Sequence, residues 1–215
     1  MEINDISWIG QSCFIFDSNK TRVIIDPFNI PNIKKKADLL LITHPHPDHY
    51  SPKDIERVVS KNTHIIYSGN CDGIEKFGKT VMAKPGYFEE FDDIKISAIP
   101  AYNTNAERLK YHPRSNKWVG YVIEIGGIKI YHAGDTDKIL EMEGLENIDI
   151  AMIPAGGTYT MGIDEAIEAA KSIDAKRIMP MHYKMLIGQE KSKELEEKFK
   201  RSIRNAHIMN EVVPE

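Results

Sequence analysis

Four side chains able to bind a metal ion stand close together in Thr43-His44-Pro45-His46-Pro47-Asp48-His49. Imidazole and carboxylate together suit zinc, manganese, iron and nickel. Their chemistry is metal-assisted hydrolysis, in which bound water loses its proton near neutral pH. Pro45 and Pro47 push His44 and His46 out of helical angles, so two residues two apart project to a similar side and can grip one ion. Asp48 and His49 follow at a chain turn and point elsewhere, toward a second ion nearby. A lone histidine is more often a surface or core residue than a ligand, but a cluster this dense points to metal.

Further ligands are needed, ideally with a carboxylate between the ions. Asp135 is the candidate, because Gly134-Asp135-Thr136 follows the apolar run 128–132 at a strand end. His182 ends another short apolar run, Ile178-Met179-Pro180-Met181. His64, His132 and His207 read as non-ligands: the first two lie within or beside strand runs and the third in the C-terminal stretch.

These residues must be carried by the chain's regular elements. Short apolar runs punctuated by Gly, Pro and Asn read as strands over 6–16, 22–25, 38–42, 64–67, 94–99, 119–125 and 128–132. Gly126-Gly127 between the last two reads as a tight hairpin with positive φ. A helix is expected from Ser51 to about residue 60, with Ser51 as cap, Pro52 at the first position and Asp54 completing a capping box. Ile163, Ala166, Ile167, Ala170 and Ile173 form one face of a second helix, with Glu165, Glu168 and Lys171 outside. Residues 191–204, with Leu195, Phe199 and Ile203, form a third. The stretch 103–117 is long for a connector and reads as a functional loop that covers the site.

The chain of 215 residues, 41% hydrophobic, is long enough to bury a core and reads as one domain over 1–215. A net charge of −4 lacks the basic footprint of non-specific nucleic-acid binding. Cys13 and Cys71 form no metal-ligand pair and no disulfide framework. No basic region precedes an apolar run near Met1, and no stretch reaches bilayer-spanning length, so a soluble cytoplasmic protein is expected.

The H-x-H-x-D-H segment after a strand, the G-D-T after a hairpin and the late P-M-H resemble the metallo-β-lactamase superfamily. Trp8-Ile9-Gly10-Gln11-Ser12, Ile24-Ile25-Asp26-Pro27 and Gly156-Gly157-Thr158-Tyr159-Thr160-Met161 extend the likeness over nearly the whole chain. They resemble the branch of small metal-dependent hydrolases related to ascorbate-6-phosphate lactonases and N-acyl-phosphatidylethanolamine phospholipase D. The resemblance implies an α/β (α+β) fold, an αββα four-layer sandwich with the metals at one edge of two facing sheets. It implies two divalent ions, zinc ahead of manganese, iron or nickel. His44 and His46 would hold the first, Asp48, His49 and His182 the second, and Asp135 would bridge. The third histidine of the first metal is missing from its usual place, Pro100-Ala101-Tyr102-Asn103. Either Asn103 binds weakly, or His112 supplies the imidazole, or the first metal is less tightly held; His112 is preferred.

The function this implies is a metal-dependent hydrolase whose metal-activated hydroxide attacks a small ester, lactone or phosphodiester, anionic or neutral, with Asp48 orienting the hydroxide. Thr158, Tyr159 and Lys184 are candidate substrate contacts, and Arg108, Lys110, Arg114 and Lys117 offer charge to an anion. Two alternatives stay open, a nucleotide or nucleic-acid phosphodiesterase and a non-catalytic metal-binding module with Asn103 as its mark of decay. The expected partner is a small molecule, without a membrane and with nucleic acid disfavoured; the branch includes homo-oligomers.

Overall fold

The structure is a computed structural model that describes residues 5–18 and 21–212. Its first sheet holds β1 (Ile6–Gly10), β2 (Cys13–Asp17), β3 (Arg22–Ile25), β4 (Leu39–Ile42), β5 (His64–Tyr67) and β6 (Lys79–Met82) in that spatial order. β1 to β3 run antiparallel; β3 to β6 run parallel, with α1 (Pro52–Val58) between β4 and β5. The second sheet opens with the antiparallel run β7 (Phe88–Phe91), β8 (Ile94–Pro100), β9 (Val119–Ile125) and β10 (Ile128–His132). β11 (Ile148–Pro154) and β12 (Ala175–Met181) add parallel strands, followed outside by α2 (Ile163–Lys171) and α3 (Lys184–Ser202).

Alternation along the strands builds the layers. In β4, Leu39 and Leu41 join Phe14, Phe16, Val23 and Ile25 in the core shared with the second sheet. Leu40 and Ile42 point the other way, to Ile55 and Val58 of α1. A strand buried on both faces reads as the unbroken apolar run Leu39-Leu40-Leu41-Ile42 rather than an alternating one. α2 packs on β11 and α3 on β12, which completes an αββα sandwich. Trp8, Phe14 and Phe16 are at most 1% exposed, each such burial stabilising by about 2–3 kcal/mol. No helix among the described residues is long and apolar enough to cross a membrane.

Several local expectations change. Residues 6–16 are a hairpin, not one strand: β1 and β2 pair around Gln11-Ser12, with Gln11 at φ 46°. Ser51 makes no side-chain cap; its hydroxyl donates to Asp54 Oδ2 at 2.6 Å, and α1 ends at Val58. The final helix begins at Lys184 rather than 191, broken at Gly188 where φ is 78°. The Gly126-Gly127 turn stands as expected, at φ 55° and 83°.

Candidate metal centre

β4 delivers the ligand-bearing turn. His49 and Tyr50 both donate their backbone N–H to His46 O, which wraps the chain so that its side chains converge. His44 Nε2 and His46 Nδ1 lie 3.0 Å apart. From the second sheet come Asp135, just past β10, His182, just past β12, and His112, in the loop between β8 and β9. The Asp135 carboxylate stands 3.4 Å from His49 Nε2, 3.3 Å from His112 Nε2 and 3.5 Å from His182 Nε2. His182 Nε2 is 3.0 Å from Asp48 Oδ2 and 3.3 Å from His49 Nε2. Among the described residues, three groups of donor atoms could each hold a metal ion: His44, His46 and His112; His44, His49 and Asp135; Asp48, His49 and His182.

The rings of His44, His49 and His112 are oriented from behind. Asp26 Oδ2 is 2.7 Å from His49 Nδ1 and accepts the Thr43 hydroxyl at 2.7 Å, while Asp26 Oδ1 accepts the Thr43 N–H at 2.8 Å. With its proton committed to Asp26, the Thr43 hydroxyl accepts from His44 Nδ1 at 3.0 Å. Asn103 donates its amide to Tyr159 O, so its Oδ1 faces His112 and accepts both the backbone N–H, at 3.1 Å, and Nδ1–H, at 2.9 Å. Each arrangement holds a proton on Nδ1, so that Nε2 is the atom left to turn a lone pair toward the cluster once it is free of a proton. Asn103 is thus the holder of His112.

Charge in the cluster is concentrated and buried. Burial alone would raise the Asp135 pKa, but His182 and His49 hold it well below the usual carboxylate range. Burial opposes charge on His49 as well, yet Asp135 and Asp26 raise its pKa well above the ordinary histidine value. His182 is raised in the same way by Asp135 and Asp48, against its burial. His44 and His46 go down, chiefly because they are desolvated. His112 Nε2 and Asp135 Oδ1 are buried without a hydrogen-bond partner. Orphaned donor atoms converging from several elements fit a divalent cation, which takes the lone pairs that nothing else in the protein uses.

Residues 5–182 match the β-lactamase superfamily domain. The chain belongs to the metallo-β-lactamase superfamily. A UPF0173 metal-dependent hydrolase of Thermoplasma acidophilum is 36% identical over 197 residues, 85% of this chain and 84% of the relative. One from Thermococcus onnurineus is 34% identical over 191 residues, 83% and 84% of the two chains. Among solved structures, a metal-dependent hydrolase of Parabacteroides distasonis superposes with a TM-score of 0.82 at 35% identity, covering 96% of this chain and 93% of that one. Igni18, a metallo hydrolase of Ignicoccus hospitalis, gives 0.75 at 25% identity over 98% and 95%. This member of the superfamily is therefore a metal-dependent hydrolase.

The hydrolase keeps its other histidines away from the cluster's open nitrogens. His132 spends both ring atoms on backbone, Nε2 donating to Ser12 O and Nδ1 accepting from Gly134 N. His64 reaches Glu89 and stacks on Phe91. Three of the basic candidates have partners within the chain. Arg108 is bound by Asp137 and Glu165, Arg114 reaches Glu141 and lies over Tyr102, and Lys184 lies over Trp8 near Glu196. Thr158 and Tyr159 are exposed, and Tyr159 meets Tyr111 edge-on.

Asp26 and Gln11 take roles in the structure that the sequence alone does not assign to them. Gln11 donates its side-chain amide to Asp48 Oδ2 at 3.3 Å, and its backbone carbonyl accepts from Trp8 Nε1 and from the His182 backbone N–H. Gln11, Asp26 and His182 all have positive φ, 46°, 46° and 59°. Left-handed backbone at non-glycine residues clusters where function constrains the chain. A polar residue directly after an apolar strand run, as in Ile24-Ile25-Asp26, was the available signal.

Proposed function

We propose that the hydrolase holds two divalent ions, zinc before manganese, iron or nickel, and cleaves a small ester, lactone or phosphodiester. His44, His46 and His112 would hold one ion, Asp48, His49 and His182 the other, and Asp135 would lie between them. The observation that carries this reading is the Asp135 carboxylate, within 3.5 Å of a nitrogen of three histidines drawn from three different segments. Bound there, divalent ions supply water that ionises near neutral pH and a charge that polarises the scissile group.

The chain's own residues do the rest. Asp48 accepts from Gln11 and His182, and although burial favours its neutral form, His182 and His49 hold its pKa at about 2. So weak a base does not keep a proton at neutral pH; it orients the attacking water as an acceptor. Asp26, Thr43 and Asn103 keep the rings aimed. Because Asp137 and Glu165 neutralise Arg108, attraction of an anionic substrate falls to fewer cations, which moves an ester or lactone ahead of a phosphodiester. A cytoplasmic setting belongs to the same reading, supported by Cys13 and Cys71, which are free and buried.

Elemental analysis of protein purified without added metal, in wild type and in His112→Ala, tests this together with lactone and phosphodiester panels. Two ions per chain falling to one in the variant, with turnover on either panel, is the expected result. A wild type that binds no ion under any reconstitution overturns it.

A further inference from the structure

Sequence reading offers Arg108 to an anionic substrate, but the structure gives it different work. It lies in the loop 103–117, between β8 and β9, and is only 9% exposed. Its Nε and Nη2 reach Asp137 Oδ1 at 3.1 and 2.9 Å, and Nη2 also donates to Glu165 Oε1 at 2.6 Å. The other oxygen of Asp137 accepts the backbone N–H of Thr104 at 2.8 Å and of Asn105 at 2.9 Å. One buried carboxylate, two residues beyond Asp135, thus collects donors from the segment that begins at Asn103 and from the arginine that follows it.

Glu165 extends the bracing to α2. Its Oε2 accepts the Gly162 N–H at 2.9 Å, closing the first turn of that helix. Asn105 reaches Glu165 as well, at 3.5 Å. The chain then curls back: Tyr111 donates its N–H to Arg108 O, and His112 O accepts from Asn103 N. Asn103, which sets the His112 ring, is therefore flanked on one side by residues gripped by Asp137. On the other side it donates to Tyr159 O, in the turn leading into α2.

We infer that Arg108 and Asp137 are positioning residues for His112, locking the loop so that His112 Nε2 is held against Asp135 in the same frame. The inference rests on the reading of His112 as a metal ligand. A guanidinium matches this task because its planar fork binds one carboxylate through two N–H groups while a further hydrogen reaches a second carboxylate. A lysine in its place keeps the charge but offers no fork.

The test is a cobalt(II) titration of metal-free protein followed by visible absorption, in wild type, His112→Ala, Arg108→Gln and Arg108→Lys, with far-UV circular dichroism confirming the fold. Losing a residue that orients a ligand weakens metal binding by about 10- to 100-fold. The expected result for Arg108→Gln is one cobalt bound as in wild type and the other weakened by that factor, with Arg108→Lys recovering part of the loss. A role in general stability alone would weaken both ions alike and show no such recovery, and that result overturns the inference. If His112→Ala still binds two ions with wild-type affinity, the ligand reading itself fails. If His112→Ala loses one ion but Arg108→Gln loses neither affinity, only the positioning inference fails. Should Arg108→Gln not fold, Glu165→Gln takes its place; it leaves the Asp137 contact intact and is expected to weaken the same ion by a smaller factor, and unchanged binding in it counts against the inference.

Discussion

At the scale of single residues, the atoms behind the ligands matter as much as the ligands. Asp26→Asn leaves a side chain of the same shape but removes the carboxylate facing His49 Nδ1 and Thr43. Metal affinity is expected to fall about 10- to 100-fold, read by competition with a chromogenic chelator. The charges of the cluster also set a pH dependence. His49 and His182 have raised pKa values in the metal-free protein, so each keeps its proton up to that raised value and a metal must displace it. Metal affinity is therefore full above those values and falls as the pH drops through them. Titration calorimetry at successively lower pH, in buffers of different ionisation enthalpy, is expected to show proton release accompanying a weakening affinity. Affinity that rises on acidification contradicts proton displacement from His49 and His182.

At the scale of elements, close backbone approaches hold the ligand-bearing ends in place. A Cβ on Gly120 of β9 would stand 2.5 Å from the carbonyl oxygens of His132 and Ala133, just before Asp135. Gly120→Ala is expected to cost about 1–3 kcal/mol in urea unfolding and to lower metal content, since β10 must shift to make room. What the sequence revealed at this scale followed from distance along the chain. The segment His44 to His49 was legible because its donors are neighbours and its prolines constrain them locally. β9, β10 and their turn were legible because Gly126-Gly127 permits little else. β6 and β7 escaped notice: Lys79-Thr80-Val81-Met82 and Phe88-Glu89-Glu90-Phe91 are short and largely exposed, so their strand character comes from pairing partners. The break at Gln11-Ser12 hid inside an apolar run because nothing local announces a positive φ at glutamine. The anchoring of His112 was beyond sequence reasoning, since Arg108 and Asp137 meet only after two strands have folded between them.

At the scale of the whole molecule, the fold depends on helices that lie outside the sheets. Phe199 of α3 is fully buried in the main core. Phe199→Ala is expected to cost about 3–5 kcal/mol in thermal or denaturant unfolding while the metal count per chain stays at its wild-type value. Loss of metal in step with stability would mean that α3 and the centre are coupled. One feature of the architecture reaches further than catalysis. The donors come from both sheets, with His44, His46, Asp48 and His49 following β4 and His112, Asp135 and His182 belonging to the facing sheet. An ion held by both spans the seam of the sandwich, and anything bound only by the folded chain shifts its equilibrium away from unfolding. Under the proposed ligand set the lifetime of this protein against proteases would be tied to the supply of metal, and scarcity would thin its population as well as idle it.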